Sequence, residues 1–196
     1  LVAQVLFLRE LMLFKWRLFM LKLKRWILFC VILSCNYCFA DTGVLKDYIP
    51  DVEKVGSGNY KFLFFNVFTA TTYAPMGKLS LDKPFALQLC YARDLKGEDI
   101  AKKAIEKIRS QSDKVSDDKL DLWQSELSEI IPNVSNGSVL TGVLTKEHET
   151  LFFDGNWQLL GRINDKEFAN HFFGIWLGKD SSDTKLRKQL FGDVNT

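Results

Sequence analysis

Beyond residue 40 the sequence holds a single cysteine, Cys90. A lone thiol cannot close an intramolecular disulfide, and no Cys-x-x-Cys pair follows the first 40 residues to build a zinc or dithiol redox site. Histidine is nearly as scarce: His148 and His171 fall in different segments with no cysteine cluster near them, so no metal ligand is assigned. There is no phosphate loop, no Gly-x-Gly-x-x-Gly after a strand, no Gly-x-Ser-x-Gly and no His-Glu-x-x-His. Nothing in the sequence calls for a cofactor. No uncharged apolar run approaches the roughly 18 residues of a membrane-spanning helix. Most of the chain also lacks a positive excess. The net charge is +2, but residues 1–40 hold six bases against the single acid Glu10, and the rest holds 20 bases against 23 acids. A mildly acidic body has no surplus with which to neutralise nucleic-acid phosphates.

The basic surplus belongs to a greasy leader. Met-Leu-Lys-Leu-Lys-Arg from Met20 is followed by the apolar run Trp26 to Leu33 and by Cys38-Phe39-Ala40 before Asp41. This is the order of a secretory signal: charged, apolar, then small residues at a cleavage site after Ala40. An uncleaved anchor is the alternative. A lipid-modified Cys35 is another, since Ile32-Leu33-Ser34-Cys35 is an imperfect lipobox. The chain starts with Leu1, and Met12 and Met20 both suit a start, so residues 1–19 read as an over-extended N-terminus. The expectation is a signal peptide over 20–40, one domain over 41–196, and a periplasmic or secreted location. The membrane would be met only through an uncleaved or lipidated leader.

An apolar fraction of 47%, with sixteen Phe, is too high for disorder and ample for a core. Residues 41–55 read as a polar lead-in and Gly56-Ser57-Gly58 as a turn. Tyr60 to Tyr73, rich in Phe, Val and Thr, reads as one long strand or a bent pair. Phe85, Leu87, Leu89 and Tyr91 alternate with Ala86, Gln88 and Cys90, which makes a second strand. The period then becomes helical through Ile100, Ala101, Ala104, Ile105 and Ile108. A second helix runs from Ser116-Asp117-Asp118 through Leu120, Trp123, Leu127 and Ile130 to Pro132. Strands follow over 138–145, 150–153 and 157–163, the last two joined by the turn signal Asp154-Gly155-Asn156. Asp165 caps a third helix carrying Phe168, Phe172, Phe173 and Trp176, with Gly178 as its C′ stop. Ser182 or Asp183 caps a short last helix ended by Gly192. The order gives an α+β fold, an antiparallel sheet with helices packed on one face.

Local chemistry is thin. Glu98-Asp99 and Asp117-Asp118 read as helix starts, where the helix dipole favours acids, not as catalytic pairs. Asn133-Val134-Ser135 and Asn136-Gly137-Ser138 match glycosylation sequons but read as a loop. The blocks taken together say more. Gly56-Ser57-Gly58 with Phe65 to Tyr73, Phe85 to Tyr91 running into Leu95 to Ala101, and Gly161 to Phe168 followed by Phe172 to Gly178 resemble, in that order, the chalcone isomerase-like proteins, in particular their exported bacterial branch.

That resemblance implies an open-faced β-sandwich of the chalcone isomerase type, its large antiparallel sheet and helices enclosing an apolar cleft for a flavonoid or a fatty acid. The true isomerases add a phenolate to an enone, with an Arg, a Thr and a Tyr steadying the developing enolate. The Arg position holds Tyr60 here, with Lys61 beside it. The Thr is matched by Thr69 in Phe68-Thr69-Ala70. The Tyr position falls near Ile100, and no Tyr is close. Two of three donors are therefore missing, and in enzymes each such donor typically contributes a few kcal/mol. No catalytic residue is assigned. The reading is a non-catalytic binder of an apolar small molecule such as a fatty acid, with Tyr60, Lys61, Thr69, Tyr91 and Arg93 as ligand-binding candidates. An isomerase or intramolecular lyase acting on a chalcone-like enone, or a structural envelope module, are the alternatives.

Overall fold

The computed structural model describes residues 43–193. The expectations for residues 1–40 lie outside that range. Six antiparallel strands pair in sequence order: β1 (Val52–Phe62), β2 (Phe65–Pro75), β3 (Phe85–Tyr91), β4 (Val139–Leu144), β5 (Thr150–Asp154) and β6 (Leu159–Ile163). Four helices complete the fold: α1 (Gly97–Gln111), α2 (Asp117–Ile130), α3 (Lys166–Leu177) and α4 (Thr184–Leu190). The α+β expectation holds, with an open antiparallel sheet and helices on its inner face.

Period-two alternation sorts the side chains between the faces. Phe68, Ala70 and Ala74 of β2, Phe85, Leu87, Leu89 and Tyr91 of β3, and Phe152 of β5 share one core with the buried residues of all four helices. Rings pack across this layer. Phe85 meets Phe173 edge-on at 4.7 Å, Phe152 meets Phe172 at 5.4 Å, and Trp123 meets Phe168 at 5.5 Å. Gly142 makes room: a Cβ there would come within 3.3 Å of the Phe173 ring.

The outer face differs. Ser57 bonds Thr71, Thr69 bonds Asn59, and Gln88 bonds Thr141, so much of this surface is a polar ladder. The lead-in does not stay off it. Val44–Asp47 forms a 3-10 turn, and Leu45 and Ile49 are fully buried against Tyr73, Ala86, Val143, Leu151 and Phe153. Residues 41–55 are thus not simply a polar approach to the domain.

Several boundaries differ from the sequence reading. Tyr60 to Tyr73 is neither one strand nor a bent pair within those bounds: a hairpin turns at Leu63-Phe64, where no turn residue signals it. Gly56-Ser57-Gly58 lies inside β1 and not in a turn. Its glycines are there for close approach. A Cβ on Gly56 would lie 1.9 Å from the Gln189 carbonyl oxygen, and one on Gly58 would lie 2.3 Å from the Gln189 side chain. Helix α4 rests on β1 at these positions, and Thr72 Oγ1 donates to the Leu190 carbonyl at 2.6 Å beside them. The last strand begins at Leu159, and Trp157 sits in the preceding turn with positive φ, packed on Phe153. Gly178 ends α3 in extended rather than left-handed backbone; a Cβ there would press on the Gly174 carbonyl.

The expected caps are present. Asp183 accepts from the Leu186 N–H, and Asp165 accepts from those of Glu167 and Phe168. Asp165 also accepts from the Trp123 indole at 3.2 Å and pairs with Lys119 at 3.3 Å, tying α2 to the start of α3. Partial burial pushes its carboxyl up. The Phe168 and Glu167 amides, the indole and the ammonium outweigh that and hold it below the usual aspartate range.

Urea unfolding tests these contacts. Gly56→Ala destabilises by more than the roughly 1–3 kcal/mol of ordinary overpacking, because a backbone carbonyl must move. Gly58→Ala costs less, since the end of a side chain can swing aside; equal costs would contradict this packing. Asp165→Ala costs about 1–2 kcal/mol, as a lost N-cap does. A lowered carboxyl pKa stabilises the fold above the ordinary aspartate range and ceases to do so as pH falls through the folded value. The advantage of Asp165 over Asp165→Asn therefore shrinks in acid.

Candidate functional site

Two regions of the helix-covered face hold chemistry of interest. The first lies where β3 begins and β4 ends. Phe85 and Leu144 are register partners there. Ala169, Asn170, Phe173 and Gly174, spaced to share one face of α3, stand over them. With Leu81 from the β2–β3 connection they line a cleft of about 140 Å³. An apolar cavity of about 150 Å³ can take up a benzene ring, so this cleft matches one ring or a short acyl segment. Its walls are apolar apart from the Asn170 side chain.

Gly174 is the unusual wall residue. A glycine inside a helix costs about 0.5–1 kcal/mol relative to alanine. Neither positive φ nor close packing explains it: a Cβ there would meet nothing within 4 Å. The fold does not require glycine here, and the cleft is wider for having it. Next along the sheet, Thr150 pairs with Leu144 and is fully buried. Its alternation with Leu151 sets it on the same face as Phe152, and its hydroxyl has no hydrogen-bond partner among the described residues.

The second region lies at the other end of the strands and includes the residues singled out from the sequence. Tyr60 stacks on Phe68 at 4.9 Å, and Phe68 meets Tyr91 edge-on at 6.0 Å. Tyr91 is buried, and burial raises its phenol above the usual range, so it stays protonated. Thr69 does not join them. Its side chain lies on the outer face, where its hydroxyl donates to Asn59 Oδ1 at 2.7 Å. Lys61 is exposed beyond a register shift in β1, and Arg93 is exposed with its guanidinium 4.5 Å from the Phe65 ring centre. The five candidates are thus not gathered into one site: two share the inner face, one lies on the outer face, and two flank the β1–β2 hairpin.

Thr69 and Tyr60 point to opposite faces of the sheet, so in this geometry they cannot hold the same substrate oxygen. Among the described residues no group of three or more His, Cys, Asp or Glu side chains is arranged to hold a metal ion. Phe85, Leu144 and Phe173 were legible only as core. The signal for the cleft was Gly174, a glycine in the middle of a helical pattern.

Comparison with known proteins agrees with the fold. A family model described as chalcone isomerase-like matches residues 55–192. An uncharacterized protein of Haemophilus influenzae is 26% identical over 145 residues, covering 74% of this chain and 70% of its own length. The crystal structure of a fatty-acid binding protein of Arabidopsis thaliana superposes with a TM-score of 0.57 at 10% identity, over 74% of this chain and 88% of that one.

The unpartnered Thr150 hydroxyl gives a direct test. An unsatisfied buried donor costs about 1–3 kcal/mol. Thr150→Val keeps the shape and removes the hydroxyl, so it raises the urea midpoint of the ligand-free protein. A lowered midpoint would mean that the hydroxyl has a partner.

Proposed function

Because the chain belongs to the chalcone isomerase-like family, we propose that it is a non-catalytic binder of an apolar small molecule, held at the Phe85–Phe173 cleft. The observation that carries this reading is the cleft itself: apolar walls, one amide at Asn170, and a helix-interior glycine that leaves space without serving the fold. Ligand sites of this kind combine apolar walls with a few polar groups that set orientation. The volume suits the end of an acyl chain or a single ring. A fatty acid is the preferred ligand, the Arabidopsis protein of the same fold being a fatty-acid binding protein. The rest of such a chain would extend past Leu81 toward solvent.

Two observations weigh against an isomerase. By the resemblance Tyr60 stands at the position of the isomerase Arg, with Lys61 beside it, and Thr69 faces away from Tyr60 with its proton engaged by Asn59. Electrostatic catalysis needs donors converging on the oxygen where charge develops. The proposal keeps residues 20–40 as an export signal, with binding taking place in the periplasm or outside the cell.

Filling the cleft tests the reading. A fluorescent fatty acid should bind the protein and be displaced by an unlabelled one. Gly174→Leu should weaken binding by about ten-fold or more, the loss expected when a buried group of methyl-to-propyl size competes for the same space. The same variant should unfold at an equal or higher urea concentration, since a helix-breaking residue is removed. Absence of binding by the unaltered protein, or equal binding by Gly174→Leu, would overturn the proposal.

A further inference from the structure

The β1–β2 hairpin breaks the rules that shape the rest of the fold. Two-residue hairpin turns favour Gly, Asn or Asp, because positive φ is needed there. This turn uses Leu63, at φ 55°, and Phe64. Neither residue is buried in return: Phe64 is 94% exposed and Leu63 75%, and their neighbours Phe62 and Phe65 are 61% and 53% exposed. Four consecutive apolar side chains thus stand in water at the tip of a hairpin, in a conformation the first turn residue disfavours. A local conflict of this kind, with no gain in packing, marks a functional site more often than a structural one.

Two cations flank the tip. Lys61 precedes it, and the Arg93 guanidinium covers the Phe65 ring at 4.5 Å. Neither arm of the hairpin carries an acid between Lys54 and Leu81, and Lys61 is the lysine at the tip end, Lys54 lying at the far end of β1. The nearby Asp94 carboxylate accepts from the Asn136 N–H. A narrow tip of three Phe and one Leu, with cations at its base, complements a surface that is apolar beneath and anionic on top.

We propose that the Phe62–Phe65 hairpin tip inserts into the interfacial layer of an anionic lipid bilayer, with Lys61 and Arg93 on the headgroups. Apolar side chains enter the acyl boundary while flanking cations stay at the charged surface. A protein partner fits less well: a stable protein interface needs about 800 Å² on each side, and a two-residue turn with one flanking pair presents far less. The membrane contact is separate from the leader, and it does not depend on what the cleft holds.

The test uses the full chain reconstituted into phosphatidylcholine vesicles with or without phosphatidylglycerol. Amide exchange across residues 60–67 should slow when phosphatidylglycerol is present and recover at high salt. The emission added by Phe64→Trp should be quenched by brominated lipid. Reversing the cations, Lys61→Glu with Arg93→Glu, should weaken both effects by more than about ten-fold, given the contribution of each base near an anionic surface. Leu63→Asn with Phe64→Gly installs a favoured turn, so it should fold at least as well and lose the protection. Exchange that ignores lipid charge, together with unquenched emission from the Phe64→Trp variant, would overturn the proposal. So would protection that rises with protein density regardless of lipid, which would indicate a second copy on the tip.

Discussion

The inner face of the sheet cannot face water, and covering it is the constraint from which the rest of the structure follows. Strand alternation delivers Phe85, Leu87, Leu89, Tyr91, Phe68 and Phe152 to one side of six paired strands. Fully burying a side chain of this size contributes about 1.5–3 kcal/mol, so the helices are held there chiefly by desolvation. The cover must also fit. Rings of α3 settle over Gly142, and α4 approaches β1 so closely that Gly56 can carry no side chain. Asp165 then fixes where α3 begins, by joining its first turn to Trp123 and Lys119 of α2. The centre of the layer is packed with interlocking rings, and the cleft opens at its end, where α3 presents glycine in place of a side chain.

The same alternation separates residues that are adjacent in sequence. Phe68 points to the helices and Thr69 to the outer ladder; a shift of one residue would exchange them. A motif matched residue by residue preserves identity but says nothing about register against the neighbouring strand. Here Thr69 is paired with Asn59 across the ladder, and its proton is directed there. Tyr60 meets Phe68 ring to ring on the other side. Residues that look like one constellation in the sequence therefore occupy two solvent environments, one polar and open, the other apolar and covered by helices.

What was legible in the sequence was whatever had a local cause. The alternation of Phe85 to Tyr91, the helical periods, the Asp165 and Asp183 caps and the Asp154-Gly155-Asn156 turn depend on neighbours in the chain, and each was readable. Gly56 and Gly58 were not, because a glycine that turns the chain and one that admits a helix from the far end of the chain are written alike. Leu45 and Ile49 were hidden because one short turn has no period to detect. The hairpin at Leu63-Phe64 was invisible for another reason: its residues contradict the conformation they adopt, and pattern reading assumes that they agree. The cleft was missed because Phe85, Leu144 and Phe173 look the same whether they fill a core or line a gap. Only packing distinguishes the two.

The hairpin tip and the cleft lie at opposite ends of the strands. Phe85, in the cleft wall, begins β3; Tyr91 ends it, and Tyr91 is the register partner of Phe68, near the hairpin. Six steps at about 3.3 Å separate these ends by roughly 20 Å. A bilayer touching the tip would therefore leave the cleft directed away from the lipid, toward the aqueous side. An apolar ligand could not slide from one to the other along a continuous apolar path, because the ring-filled centre of the inner face lies between them. Membrane contact at one end and ligand binding at the other are thus independent properties of one sheet. If both hold, the protein keeps its binding site open to solutes while its opposite end rests on the membrane surface.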